Sequence, residues 1–199
     1  MAEPVMRALS LTGADLQLHT GVDWGMPAPR PFARLTAEIP WRQESITLFG
    51  RTCLQPRLLC WMGDPGCTYS YSGKRYEPQP WHPLVTDLRK RAENLAEAQF
   101  NSVLLNYYRD GQDSMGWHAD DEPELGERPV IASLSFGAER IMHFRHRHDR
   151  TVPTERIPLP DTSLLIMRGD TQANWKHALP KTRKVIGPRV NLTFRHILL

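Results

Sequence analysis

The 199-residue sequence lacks a hydrophobic run long enough to cross a bilayer, which would need about 20 consecutive apolar residues. Its first residues also lack a basic segment followed by a hydrophobic one, so the sequence predicts neither a membrane partner nor export. Cysteine is scarce, and the odd set of Cys53, Cys60 and Cys67 predicts neither a disulfide framework nor a zinc site. We therefore expect reduced thiols and a cytoplasmic location, or a nuclear one if the source is eukaryotic.

Lysine is also scarce, with five lysines against 20 arginines. The formal net charge is only +3. A guanidinium binds phosphate groups and stacks on bases better than an ammonium does. A genome rich in G and C produces the same arginine bias without any functional meaning. The arginine excess therefore fits a nucleic-acid partner but does not by itself predict one.

A His-x-Asp motif is the first pattern with a chemical meaning. His118 and Asp120 are separated by one residue, and His177 follows much later. In an extended backbone, residues two apart point to the same side, so both side chains can bind one ion. Two histidines and one carboxylate form the facial triad that leaves coordination positions open on Fe(II). The set predicts an oxygenase, although His118 alone would more often be a surface or hydrogen-bonded histidine.

The segment RVNLTFR at 189–195 alternates polar and apolar residues, which is typical of a strand. Its polar side chains share one face, and they are Arg189, Asn191, Thr193 and Arg195. A solvent-facing edge strand would show the same pattern. Two arginines close behind a candidate metal ligand favour a carboxylate-binding wall instead, because a guanidinium binds carboxylates in a bidentate way. The segment predicts a small dicarboxylate bound beside the metal.

Periodicity predicts two helices followed by several short strands. The helices are expected from Arg30 to Glu38 and from Pro83 to about Ala98, where apolar residues repeat at helical spacing. From Val103 onward, alternation predicts short strands, and 163–167 predicts a continuous apolar strand. Helices followed by short strands favour a sandwich or jelly roll with helical support.

Three further histidines, His143, His146 and His148, form a second cluster that competes as a metal site. Arg145 and Arg147 alternate with them and would repel a cation. A solvated hairpin is therefore the favoured interpretation. Contact with DNA phosphates is its functional alternative.

The ordered motifs resemble the AlkB-type Fe(II)/2-oxoglutarate-dependent dioxygenases that repair alkylated bases, in particular the branch with the two human DNA-repair homologues. The matching blocks are NYYRDG at 106–111, HADDE at 118–122, IASLSFG at 131–137, SLLIM at 163–167 and RVNLTFR at 189–195. The resemblance runs from about Leu48 to the C-terminus. It implies a mainly β fold with supporting helices: a double-stranded β-helix, or jelly roll, with an N-terminal substrate-lid region.

The resemblance also implies how the chain is organised. We expect a single Fe(II)/2-oxoglutarate dioxygenase domain over residues 1–199. Within it, the expected parts are an N-terminal arm and helix at 1–44, a nucleotide-recognition lid at 45–80 and a jelly-roll catalytic core at 100–199.

The chemistry of the site follows from the same resemblance. His118, Asp120 and His177 would hold Fe(II), with 2-oxoglutarate and O2 as cosubstrates. The side chains expected to bind 2-oxoglutarate are Asn106, Tyr108, Arg189, Asn191, Thr193 and Arg195. The reaction would remove methyl groups from DNA lesions such as 1-methyladenine and 3-methylcytosine, and would release formaldehyde, succinate and CO2. The iron and the cosubstrate carry the oxidative chemistry, while the protein binds and orients them.

Recognition of the base is expected upstream of the catalytic strands. Tyr71, with Tyr69 and Ser72 beside it, matches the lid position where an aromatic side chain stacks on the flipped base. A tyrosine of the core would give the same pattern. Glu122 matches an acceptor for the exocyclic amine of the base, and an exposed turn residue before Pro123 is the alternative.

A hydrophobic finger is expected at Leu48, Phe49 and Gly50, where it would fill the gap left by the flipped nucleotide; a buried hairpin core is the alternative. Arg57 is expected to contact the nearby DNA backbone. Because an apolar wedge gives access to stacked bases, the finger favours double-stranded as well as single-stranded DNA. RNA stays open as a substrate, and hydroxylation of a protein or a small molecule is the competing function. The expected state is a monomer.

Overall fold

The computed structural model describes residues 3–27, 29–48, 51–67, 69–71 and 74–198. Within these residues, strands predominate, and three α-helices and a short 3-10 helix (Pro123–Leu125) accompany them. The helices are α1 (Arg30–Glu38), α2 (Pro83–Ala96) and α3 (Thr171–Asn174). The strands are β1 (Val5–Leu9), β2 (Asp15–Thr20), β3 (Ser45–Leu48), β4 (Arg51–Leu54), β5 (Leu58–Gly63), β6 (Tyr69–Tyr71), β7 (Lys74–Tyr76), β8 (Ser102–Tyr108), β9 (Met115–His118), β10 (Ile131–Gly137), β11 (Arg140–His146), β12 (Glu155–Leu159), β13 (Leu164–Arg168), β14 (Trp175–Leu179) and β15 (Arg189–Arg195).

Two antiparallel sheets face each other and form the body of the fold. The larger sheet has seven strands in the order β1-β2-β13-β10-β15-β8-β5, and the smaller has four in the order β12-β11-β14-β9. Ile131 and Met167 from the larger sheet pack with Phe144 and Trp175 from the smaller one in a shared apolar cluster. Within the described part of 45–80, β3 pairs with β4 and β6 with β7 as separate hairpins. The predicted mainly β jelly roll with helical support is confirmed.

Helix α2 covers the outer face of the larger sheet. It begins at Pro83, where the missing N–H of proline costs nothing because the first helical N–H groups have no partner inside the helix. The helix ends at Ala96, two residues before the predicted end, because Glu97 adopts a left-handed backbone conformation with a φ of 46°. The apolar residues that repeat along its inner face are all buried, and they are Leu84, Leu88, Ala92 and Ala96.

Helix α1 has the predicted bounds and belongs to the same apolar layer. Leu35 is fully buried in it, and Ile39, just beyond the end of the helix, is buried as well. Among the described helices, none is both long and apolar enough to cross a membrane.

Strand β15 lies between β10 and β8 in the interior of the larger sheet. Its apolar residues Val190, Leu192 and Phe194 are fully buried in the cluster that contains the helices. The alternate polar residues point to the opposite face, toward the smaller sheet, and Arg189 among them is only 1% exposed. The alternative of a solvent-facing edge strand is therefore wrong, because both faces of β15 are covered. We call these polar side chains, Arg189, Asn191, Thr193 and Arg195, the polar wall, and their position inside an otherwise apolar fold marks the region of the site.

Candidate metal and cosubstrate site

The three predicted metal ligands meet between the two sheets. His118 is the last residue of β9 and lies opposite His177 of β14 in the strand register, with ring centroids 4.2 Å apart. Asp120 follows two residues later, and one ligand atom from each of the three side chains lies within 4.8 Å of the others. Among the described residues, no other group of three such side chains converges in this way.

Asp120 does not lie on the continuous strand with His118 that the sequence predicts. Strand β9 ends at His118, and the backbone N–H of Asp120 donates to Gln172 Oε1 at 3.0 Å instead of joining the sheet. The pairing of β9 with β14 also shifts register between His177 and Leu179. Such bulges re-aim side chains beside functional sites, which local alternation does not reveal.

The carboxylate of Asp120 is buried and anionic. Its Oδ1 accepts a hydrogen bond from Arg195 Nη2 at 2.5 Å, while Oδ2 has no hydrogen-bond partner among the described residues. Oδ2 lies 3.8 Å from His177 Nε2. Burial alone would raise the pKa of Asp120, but the positive charge of Arg195 is the largest opposing influence, and the pKa falls to about 2. A buried anionic oxygen without a donor fits a cation.

Both histidines are set up to bind a metal through one nitrogen. His118 Nδ1 lies 2.9 Å from the carbonyl oxygen of Gly116, and an N–H there leaves Nε2 free of its proton. Burial, and then the neighbouring His118, lower the pKa of His177 to about 3. His177 is therefore a neutral imidazole at physiological pH, the form that coordinates a metal.

A short helix and one arginine fix the loop that carries Asp120. Gln172 of α3 is buried, and its side-chain oxygen accepts the Asp120 N–H. Arg147 donates to the carbonyl oxygen of Gln172 at 2.8 Å and to Asp121 Oδ2 at 2.5 Å. Sequence reasoning missed Gln172, because nothing local marks a glutamine 52 positions away as a partner of Asp120.

A small inner cavity of about 30 Å³ touches the triad and the polar wall. Arg189 lines it, donates from Nη2 to Ser135 Oγ at 2.9 Å and lies 5.4 Å from the centre of the Tyr108 ring. Its buried Nε has no hydrogen-bond partner among the described residues. Burial lowers the pKa of Arg189 to about 10, so the side chain remains cationic at neutral pH. A buried cation with an unused donor fits the far carboxylate of a dicarboxylate.

Hydrogen bonds join the other members of the wall. Asn191 Nδ2 donates to Ser133 Oγ at 2.9 Å, and Thr193 Oγ1 donates to Asn191 Oδ1 at 3.0 Å. Sequence reasoning gave Ser133 and Ser135 no role. The signal was present in 131–137, where the two serines alternate with apolar residues just as the polar residues of β15 do.

A larger cavity of about 190 Å³ also reaches the triad. The residues that line both cavities are Leu104, Met115, His118, Asp120 and Arg195. The candidate metal site therefore lies at the junction of a small polar inner cavity and a larger outer one.

Two of the predicted substrate residues line the outer cavity. Glu122 is half-buried there, directly before the 3-10 helix, so the alternative of an exposed turn residue is wrong. Arg57 is only 5% exposed, and its Nε donates to Asn106 Oδ1 at 2.8 Å. This bond turns the Arg57 guanidinium toward Asn106 inside the protein, and the expected contact of Arg57 with the DNA backbone stays a prediction.

The lid is described only in part. Leu48 ends β3, and Tyr69 and Tyr71 are the ends of β6. For these three residues the structure describes the backbone alone. Phe49, Gly50 and Ser72 lie outside the described residues. The substrate roles of these residues stay predictions.

The second histidine cluster is spread along a hairpin. The His146 ring packs edge-on against Trp175 with centroids 5.1 Å apart, and His148 Nε2 lies 3.3 Å from the carbonyl oxygen of Ala173. Burial lowers the pKa of His143. Contact of this segment with phosphates stays a prediction.

Comparison with known proteins identifies the class. Residues 28–195 match the family model of the 2OG-Fe(II) oxygenase superfamily. DNA oxidative demethylase ALKBH2 of Homo sapiens is 44% identical over 207 residues, which covers 100% of this chain and 79% of the relative. Alpha-ketoglutarate-dependent dioxygenase alkB homolog 3 of Homo sapiens is 45% identical over 172 residues, which covers 82% of this chain and 59% of the relative.

A solved structure of OsALKBH1 matches 96% of this chain and 100% of its own with a TM-score of 0.62. At 13% identity it shows a shared fold alone. The chain spans about 60% of the length of the alkB homolog 3 relatives that it matches. The chain belongs to the 2OG-Fe(II) oxygenase superfamily and, within it, to the AlkB-type dioxygenases.

The residues present fit the cofactors that this family uses. The imidazoles of His118 and His177 and the bare oxygen of Asp120 form the donor set of a facial triad for Fe(II). The buried cationic Arg189 and the polar side chains around it fit 2-oxoglutarate. Fe(II), with 2-oxoglutarate and O2 as cosubstrates, is therefore the cofactor set, as predicted.

Proposed function

We propose that this protein demethylates N-alkylated bases in DNA by oxidation. One methylated base, one O2 and one 2-oxoglutarate would give the unmethylated base, formaldehyde, succinate and CO2. Membership of the AlkB-type dioxygenases supports the reaction class, and the human relative of which the match covers 79% is named a DNA oxidative demethylase. The proposed lesions are methylated bases such as 1-methyladenine and 3-methylcytosine.

The junction of the two cavities carries this proposal. His118 and Asp120 line both the inner cavity of about 30 Å³ and the outer cavity of about 190 Å³. A cosubstrate held against Arg189 and a base held in the outer cavity would therefore approach the same ion from two sides. This arrangement brings two reactants together without letting them compete for one pocket.

The chain's own residues would bind the cosubstrate, keep a metal ligand charged and orient the base. When bound, Fe(II) with 2-oxoglutarate supplies the oxidising chemistry. Arg189 would pair with the far carboxylate of the cosubstrate, and Arg195 keeps Asp120 anionic. Glu122, half-buried in the outer cavity, would accept a hydrogen bond from the exocyclic amine of the base. Because the triad lies between two sheets, a stacked base would have to be flipped out of the helix to reach it.

The outer surface of the smaller sheet supports a nucleic-acid partner. Arg145 stacks on Trp117 at 4.4 Å, and Trp117 is 38% exposed directly beside the ligand His118. Lys176 lies opposite Arg145 in the register, and Arg156 is exposed on β12. These cations would bind the phosphates on either side of the flipped nucleotide. We propose both single- and double-stranded DNA as substrates for a monomer.

The test is a panel of oligonucleotides that carry one methylated base, offered as single-stranded DNA, double-stranded DNA and RNA. Mass spectrometry should show loss of the methyl group from DNA only when Fe(II), 2-oxoglutarate and O2 are all present. His177→Ala should be inactive under the same conditions. If the methyl groups of DNA persisted while those of RNA were removed, RNA would replace DNA as the substrate. Turnover of neither nucleic acid would contradict the proposal.

A further inference from the structure

A buried hydrogen bond connects the two cavities. Arg57 lies just before β5, and in the pairing of β5 with β8 Leu59 stands opposite Asn106. Residues two apart on a strand share a face, so Arg57 is a diagonal neighbour of Asn106. Its Nε donates to Asn106 Oδ1 at 2.8 Å, and both side chains are about 5% exposed. Arg57 lines the outer cavity, whereas Asn106 lines the inner one.

The chemistry of this bond fixes which way the Asn106 amide points. A guanidinium has donors and no acceptor, so Asn106 must present its oxygen to Arg57. The amide nitrogen Nδ2, a donor, is then the group left for the inner cavity. An anionic cosubstrate there needs donors, and the opposite amide orientation would place an oxygen against its carboxylate.

The guanidinium itself is held in place by the chain. Its Nη1 lies 3.4 Å from the carbonyl oxygen of Ser114, and the Ser114 N–H donates to the carbonyl oxygen of Pro56 at 2.9 Å. Arg57 is thus tied to a loop next to β9 on one side and to β8 on the other. A buried arginine with these partners is therefore in position to orient the amide of Asn106.

We propose that Arg57 is a positioning residue for 2-oxoglutarate, which it serves by holding the Asn106 amide with its donor toward the cosubstrate. The inference rests on the proposed function of the inner cavity. It is a role distinct from the contact with the DNA backbone that the sequence predicts for Arg57. Its signature is a loss of cosubstrate affinity in the absence of any nucleic acid.

The experiment is a calorimetric titration of 2-oxoglutarate into the full-length protein loaded with Mn(II), without DNA. Arg57→Met should weaken binding about tenfold, which corresponds to the loss of one charge-assisted hydrogen bond. Arg57→Lys, which keeps one cationic donor, should recover part of the affinity. The matched control is Arg42→Met, because exposed Arg42 lines the same outer cavity without a bond to Asn106.

A double-mutant cycle tests whether Arg57 acts through Asn106. In an Asn106→Ala background, Arg57→Met should cause little further loss, because the amide that Arg57 orients is gone. Equal losses in both backgrounds would overturn the inference, as would an unchanged affinity in Arg57→Met. If Arg57→Met did not fold, Arg57→Lys would take its place. It should weaken 2-oxoglutarate binding in the wild-type background and cause little further loss in the Asn106→Ala background, and equal losses in both would overturn the inference. A wild-type protein that failed to bind 2-oxoglutarate would instead contradict the proposed function.

Discussion

Arg195 of β15 donates a hydrogen bond across 2.5 Å to the carboxylate of Asp120, a candidate ligand from the loop after β9. This bond joins β15, the strand that carries the polar wall, to the metal triad. It occupies Oδ1 and leaves Oδ2, which faces His177. The arginine therefore both keeps Asp120 charged and selects the oxygen that would bind Fe(II).

Replacing Arg195 should make metal binding sensitive to acid. In Arg195→Met, burial would act on Asp120 without the compensating cation, so its pKa would rise from about 2. Protons would then compete with the metal as the pH falls. Titration with Mn(II) should show a modest loss of affinity at neutral pH and a larger loss at mildly acidic pH. Parallel pH dependences in wild type and variant would contradict this role of Arg195.

Replacing Arg189 by lysine should raise the KM for 2-oxoglutarate far more than the conserved charge suggests. The planar fork that donates to Ser135 and leaves Nε available is lost, and an ammonium cannot copy it. We expect about a tenfold increase or more, measured as succinate formed against cosubstrate concentration. An unchanged KM would place the dicarboxylate elsewhere.

Replacing Gln172 should weaken metal binding without touching a ligand. Gln172→Leu keeps the bulk but removes the acceptor of the Asp120 N–H, so the ligand loop loses its anchor. Loss of such supporting contacts costs about 10- to 100-fold in metal affinity. Exposed Gln112→Leu is the matched control, because its side chain bonds the carbonyl oxygen of Thr182. Equal Mn(II) affinities in the two variants would disprove the anchoring role.

Replacing Leu48 and Phe49 together by alanine should reduce access to duplex DNA. A wedge matters only where a stacked neighbour must be displaced, and a single strand has largely been spared that cost. We expect kcat/KM on methylated double-stranded DNA to fall about tenfold or more, which equals about 1.4 kcal/mol. Activity on the single strand should fall much less. Equal losses on both, with a lower Tm, would favour the alternative of a buried hairpin core.

Local patterns predicted the chemistry of the site well. The pair of His118 and Asp120 and the polar face of β15 follow from short spacings and from alternation, which depend only on neighbouring residues, whereas His177 lies much later in the chain. Alternation alone therefore predicts that Arg189, Asn191 and Thr193 share one face, and in the structure all three line the inner cavity.

Contacts between distant segments were not predictable in the same way. Asp120 lies outside its strand because Gln172, on a four-residue helix, captures its N–H. Arg57 looks like a surface cation in the sequence, yet the pairing of β5 with β8 buries it against Asn106. Such partners are set by the three-dimensional packing of strands, which leaves no local signal in composition or periodicity.

The most direct test of the whole account is the stoichiometry of one reaction on methylated single-stranded DNA. With Fe(II), 2-oxoglutarate and O2, the protein should form one formaldehyde and one succinate for each base restored, measured together by mass spectrometry. His118→Ala, Asp120→Ala and His177→Ala should form neither product while retaining a cooperative thermal unfolding transition. Wild-type turnover by His177→Ala, or succinate without any restored base in wild type, would contradict the account.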